Sequence, residues 1–290
     1  MAATSTKELT ATGASVTTVS AGSDATAPPP LEPWSAGAPT AAVVPAGQCA
    51  IGEDWTPCPL LERLWVSKDT IVVTFGLADA KPLNLSTCAC VLARGGADAA
   101  GEPFVRPYTP VSTNALAGKF QLMMKVRSSL SNWSRQQQRD YLTISLPRFG
   151  AKKVGMLVGG TGIAPMLQAL HAILGTADDA TEVTILYGSR SSDNILAKAT
   201  LDDWSASHAQ LTVVHVLSHE PEGSASPHAR GFIDEKLVED HLPKPGDDAL
   251  LFVCGPPPLY DALCGPRGEA DAVTGLLGDL GWGPAQVVKF

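Results

Sequence analysis

Val154-Gly155-Met156-Leu157-Val158-Gly159-Gly160-Thr161-Gly162-Ile163-Ala164-Pro165-Met166 decides how this chain is read. Residues 154–158 form a continuous apolar run, the pattern of a strand buried on both faces. Pro165 falls where a first helical residue is expected, because its missing N–H costs nothing there. Met166, Leu167, Leu170, Ile173 and Leu174 follow at helical spacing. A glycine-rich turn therefore joins a buried strand to a helix. Glycine lets a pyrophosphate approach the backbone, and the helix N-terminus offers unpaired N–H groups and a positive dipole end. Gly159, Gly160, Thr161 and Gly162 are accordingly candidate dinucleotide-binding residues.

Downstream, strands and helices alternate. Residues 183–187, 211–216, 249–254 and 287–290 read as strands, and 195–204, 232–242, 259–263 and 273–280 as helices. Residues 153–290 are thus expected to form a doubly wound parallel α/β sheet with helices on both faces. Cys254-Gly255-Pro256-Pro257-Pro258 ends the fourth strand, where such sheets bind ligands.

Upstream the period shortens. Residues 60–66, 71–75, 87–93, 104–108, 120–126 and 141–146 read as six short strands, punctuated by Ser67-Lys68-Asp69, Gly95-Gly96 and Ala117-Gly118. Without a long helix among them, residues 58–152 are expected to form a small antiparallel β-barrel. Arg106-Pro107-Tyr108-Thr109-Pro110-Val111-Ser112 ends one of these strands. It joins a guanidinium fork suited to phosphate with a flat ring suited to an aromatic ligand. Residues 1–57 read as a low-complexity flexible tail. Ala, Thr, Ser, Pro and Gly supply 36 of the first 50 residues, too little apolar area to offset the entropy of ordering.

Composition narrows the classes. The chain has 290 residues and a formal net charge of -8, so a nucleic-acid binder, which needs a basic face, is not expected. No apolar run approaches the roughly 20 residues of a transmembrane helix. Six cysteines without a Cys-x-x-Cys are too few for a disulfide scaffold. Cys88 and Cys90, two apart on an expected strand, read as small core residues facing one way. His215 and His219 lack partners for a metal site, and none is expected. Ser112 and the histidines lack a nucleophile-elbow context, which argues against a hydrolase. The tail has neither a secretory pattern nor an Arg-rich presequence, so a cytoplasmic protein is expected, with mitochondrial import as the alternative.

Taken together, these motifs resemble the NADH–cytochrome b5 reductase flavoproteins and the reductase domain of nitrate reductase, within the wider ferredoxin–NADP reductase group. The resemblance runs from about Cys58 to Phe290 and includes Gly281-Trp282 and the terminal Val287-Val288-Lys289-Phe290. It implies an FAD-binding barrel followed by a pyridine-nucleotide domain. It further implies that Arg106 holds the FAD pyrophosphate. Tyr108 and Thr109 would contact the isoalloxazine, with Pro107 shaping the turn and Ser112 nearby. Lys125 matches a lysine close to flavin and nicotinamide. Cys254, with Gly255 and Pro256, would sit over the nicotinamide and align it, and Phe290 matches the family's aromatic C-terminus.

Two departures matter. NADH-specific members carry an acid after the third strand of the nucleotide domain, and here that place is Ser218. Arg230 follows twelve residues on, where NADPH-using relatives also have an arginine, so NADPH is expected to be preferred or accepted. The family's Gly-Lys-Met-Ser stretch for the FAD phosphates is Ser128-Ser129-Leu130-Ser131, leaving Ser129 and Ser131 as substitutes. The leading reading is an FAD-dependent reductase passing electrons to a heme protein such as cytochrome b5. Its alternatives are a ferredoxin- or flavodoxin-type reductase and a flavin-free structural subunit tethered to a larger assembly by its tail. Eight bases against the single Asp140 between Gly118 and Lys153 suit an acidic electron-transfer partner.

Overall fold

A computed structural model describes residues 30–52, 54–95, 101–126 and 151–290. The buried run selected from the sequence becomes β6 (Lys153–Gly159), the centre of a six-stranded parallel sheet. With it pair β7 (Glu182–Ser189), β8 (Leu211–Leu217), β9 (Ala229–Arg230), β10 (Ala249–Cys254) and β11 (Val287–Lys289), in the order β11-β10-β6-β7-β8-β9. Successive side chains of a strand point to opposite faces, so each strand feeds two cores. Met156, Val158, Ile185, Tyr187 and Phe252 pack with α1 (Ile163–Leu174) and α2 (Lys198–Ser207). Leu157, Leu186, Leu251 and Val253 pack with α3 (Glu235–His241), α4 (Pro257–Leu263) and α5 (Gly275–Asp279) on the other face. The expected doubly wound sheet is present.

The preceding domain holds β1 (Leu60–Ser67), β2 (Thr70–Gly76), β3 (Val91–Gly95), β4 (Phe104–Tyr108) and β5 (Lys119–Lys125). β1, β2 and β5 form one antiparallel sheet and β3 and β4 a ribbon. Pro110 bridges to Leu122 between the two pieces, around a small core of Leu83, Val91, Phe120 and Leu122. Barrel closure is not seen among the described residues. The sixth expected strand, 141–146, lies outside them.

Four local expectations are corrected. Cys88 is not in a strand, because its φ of 64° is left-handed. It is buried against α1, with its thiol 3.2 Å from the Pro165 carbonyl. The second helix begins at Lys198 rather than 195, since a short 3-10 turn (Ser192–Asn194) and a left-handed Ala197 come first. The third begins at Glu235 rather than 232, because Asp234 caps it by accepting the Leu237 N–H. The tail reading to residue 57 also changes. Over residues 30–52 the chain runs along both domains, with several of its backbone groups hydrogen-bonded to them. Neither residues 1–29 nor 127–150, which carry Ser129, Ser131 and half of the basic patch, are among the described residues.

Candidate functional site

The topological switch of the sheet lies between β6 and β10, whose ends pair at Val158 and Cys254. Ligands of open α/β sheets bind at such a point. A cleft of about 1240 Å³ opens there between the two domains, larger than the usual small-molecule pocket.

Its nucleotide-domain wall starts at the glycine turn. Gly160 has φ +55° and open space where a Cβ would stand. A Cβ on Gly162 would lie 2.1 Å from the Cys254 carbonyl oxygen, so this glycine lets the turn pack directly on the end of β10. The buried Tyr187 hydroxyl donates to the Gly160 carbonyl at 2.9 Å and fixes the turn from below. Gly159, Thr161, Cys254, Gly255 and Pro256 complete this wall. Burial raises the Cys254 thiol to about 11, with the Arg267 guanidinium opposing the rise. At neutral pH Cys254 is therefore a thiol, fit for packing rather than nucleophilic attack. Phe290 is held over the cleft by its N–H to the Val253 carbonyl at 3.0 Å, its ring against Phe252, and the Tyr260 hydroxyl donating to its carbonyl.

The opposite wall comes from β4, β5 and the turn before β2. Arg106, Pro107, Tyr108 and Thr109 line it together with Lys125. Burial raises the Tyr108 hydroxyl, with Arg106 opposing. The Lys125 ammonium lies 2.8 Å from Asp69 Oδ2. The other Asp69 oxygen accepts from the hydroxyls of Ser67 at 3.0 Å and Thr70 at 2.9 Å. Burial pushes the Asp69 carboxyl up, but these hydrogen bonds and the lysine charge outweigh it and hold it below the ordinary range.

Ser218 and Phe232 also line the cleft, and Phe232 is 74% exposed. The other predicted residues stand elsewhere. Ser112 is off the cleft; its hydroxyl accepts the Gln121 N–H at 2.9 Å and its carbonyl the Gln168 amide at 2.8 Å, latching α1 to the barrel. Arg230 does not line the cleft; its guanidinium donates to the carbonyls of Glu220, Pro221 and Ser224 at 3.1–3.3 Å. Ser129 and Ser131 lie outside the described residues.

Asp69, Phe232 and Arg267 line the cleft but were not singled out from the sequence. Asp69 sat inside a turn signal, and its partner emerges only when β2 pairs with β5. Phe232 read as a helix start. Nothing local marks Arg267, on the loop after α4.

Residues 57–143 match the oxidoreductase FAD-binding domain and 156–265 the oxidoreductase NAD-binding domain. NADH-cytochrome b5 reductase 2 of Scheffersomyces stipitis is 31% identical over 255 residues, covering 82% of this chain and 84% of that protein. The chain belongs to the NADH-cytochrome b5 reductase family. An NADH-cytochrome b5 reductase-like protein of Arabidopsis thaliana is likewise 31% identical, over 82% of this chain and 77% of its own. In fold, this chain matches the cytochrome b5 reductase domain of Ulva prolifera nitrate reductase with a TM-score of 0.67 at 24% identity, covering 80% and 96% of the two chains. The cleft of this family member fits its two cofactors: cationic Arg106 and Lys125 on one wall face an open glycine turn on the other.

Proposed function

We propose that this chain is an FAD-dependent reductase that takes hydride from NADH or NADPH and delivers electrons to a heme protein of the cytochrome b5 kind. One observation carries the reading. The flavin-type motif at Arg106–Thr109 and the nucleotide-type motif at Gly159–Gly162, 50 residues apart in sequence, line the same cleft. When bound, FAD would supply the chemistry, since a flavin can take up two electrons as one hydride and give them up one at a time.

The protein's part is placement. Arg106 would hold the FAD pyrophosphate, with Tyr108 and Thr109 against the ring system. Lys125, held by Asp69, would set a positive charge beside the ring, where reduction adds negative charge. Cys254 would pack against the nicotinamide as a neutral thiol, fixing its approach distance, and Phe290 would limit access of water to that face.

The dual nucleotide preference rests on Ser218, which puts a hydroxyl where a carboxylate would repel a 2′-phosphate. Arg230 stands behind the same loop and would have to exchange its carbonyl partners for the phosphate. The relatives support the acceptor, since two of them are named for cytochrome b5 reduction.

The test is flavin content after gentle purification, followed by ferricyanide and cytochrome b5 reduction with each nucleotide. Bound FAD, turnover with both nucleotides, and a loss of NADPH turnover in Arg230→Ala are expected. A protein that stays colourless with added FAD and reduces neither acceptor defeats the enzyme reading in favour of a structural subunit. Strong NADH preference untouched by Arg230→Ala defeats the dual-nucleotide reading alone.

A further inference from the structure

The segment that reads as low-complexity tail crosses from one domain to the other and back. It starts on the barrel, where the Glu32 N–H donates to the Trp65 carbonyl at 2.8 Å and the Trp34 ring N–H to the Gln121 side chain at 3.4 Å. It then passes over the nucleotide domain. There the Ala36 N–H donates to Thr200 Oγ1 at 3.1 Å, Trp204 Nε1 donates to the Gly37 carbonyl at 2.9 Å, and the Thr40 N–H donates to His171 Nδ1 at 3.1 Å. It returns to the barrel, where Asn114 donates to the Ala42 carbonyl at 3.0 Å and the Ala50 N–H to the Leu83 carbonyl at 2.7 Å.

These contacts are built rather than incidental. His171, Thr200 and Trp204 are all at most 3% exposed, so the strap covers side chains whose polar atoms have left water. Trp204 also packs edge-on against His171, at 4.8 Å between ring centres. Gly175, at the end of α1, has no room for a side chain: a Cβ there would stand 2.4 Å from the Ala41 nitrogen. A small void beside His171 is walled by the strap at Thr40 and Ala42, by the barrel at Thr87 and Thr113, and by α1 at Gln168. Three parts of the molecule meet there. Pro33, Pro39 and Pro45 lower the entropy lost on ordering, because their φ is fixed before folding.

We propose that residues 34–42 are an interdomain tie that sets the spacing of the two cleft walls, with His171, Thr200 and Trp204 as its positioning residues on the nucleotide domain. α1 and α2 carry these anchors, and α1 begins at the glycine turn, so movement of the tie is transmitted to the wall where the nucleotide would lie. The consequence for catalysis rests on the proposed reductase function; the tie itself does not.

The test compares Thr40→Pro/Trp204→Phe with Thr40→Val in the full chain. The first removes two donors and keeps the aromatic ring; the second keeps the Thr40 N–H. Amide exchange at Ala36 and the neighbouring strap is expected to accelerate at least tenfold in the double variant and to stay native in Thr40→Val. Flavin content and the KM for NADH should hold within about twofold, while the rate of flavin reduction by NADH falls about tenfold, as expected for misplaced reactants. Thr200→Val, a change of nearly equal volume that removes the hydroxyl accepting from Ala36 and donating to Ser35, should give a smaller effect of the same sign and serves if the double variant does not fold. Unchanged exchange would overturn the tie. Faster exchange with unaltered flavin reduction would overturn its positioning role. If the native protein holds no flavin, the reductase reading fails, and the tie is still judged by exchange.

Discussion

At the scale of single residues, the cleft depends on two kinds of contact. One is the Lys125–Asp69 pair, in which both side chains are partly exposed and the pair contributes at most about 1 kcal/mol to stability. Its value is positional, because Asp69 is fixed by Ser67 and Thr70 and fixes Lys125 in turn. Asp69→Asn is expected to lower NADH-dependent turnover about tenfold with little change in Tm. Lys125→Ala should do the same, and the double variant should be no worse than either, since both remove one unit. Additive losses in that cycle would separate the two residues. The other contact is Gly162 against β10. Gly162→Ala must push its Cβ out of the Cys254 carbonyl, which is main chain and cannot swing aside. A destabilisation of about 3 kcal/mol, read by urea unfolding, is expected from such overpacking.

At the scale of elements, the α/β half was legible because its signals are long and periodic. The buried run of β6 and the spacing of Met166, Leu167, Leu170 and Ile173 admit one reading, and β10 falls on the residues the sequence marked. The errors lie where a local backbone feature overrides apolar pattern. Cys88 sits in an apolar stretch, but its left-handed φ ends any strand there, so β3 starts at Val91. Phe232 adjoins Ile233, Leu237 and Val238, which are at helical spacing, yet α3 waits for its cap at Asp234 and leaves Phe232 exposed in the cleft. Because that cap satisfies an otherwise unpaired helix donor, Asp234→Ala should cost about 1 kcal/mol in chemical denaturation. Asp234→Ser should recover most of it. The site motifs were legible one by one, but Asp69 and Arg267 were not, since Asp69 meets Lys125 only when β2 pairs with β5 and nothing in the local sequence brings Arg267 to the cleft.

At the scale of the whole molecule, two buried histidines make stability depend on pH. Burial lowers His171 from 6.5 to about 4, and its Nδ1 accepts the Thr40 N–H, which requires a neutral ring. Burial likewise lowers His215 from 6.5 to about 4, helped by His228 and Lys198 and opposed by Asp202. His228 stands edge-on to it, 4.9 Å between ring centres. For a base held neutral in the fold, the unfolded chain binds more protons between the two pKa values. Stability therefore rises with pH across that window and falls on acidification from pH 6.5 towards 4. Each ring contributes on the order of 3 kcal/mol over the window, enough together to rival the net stability of an ordinary domain. Above pH 6.5 neither ring adds a slope. His171→Asn keeps an acceptor for the strap but cannot titrate, so it should unfold with a pH slope one proton shallower between pH 6.5 and 4 and with near-native stability at pH 8. An unchanged slope in that variant would place the acid sensitivity at His215 alone, and a large loss at pH 8 would mean that the imidazole, not merely an acceptor, is needed to seat the strap.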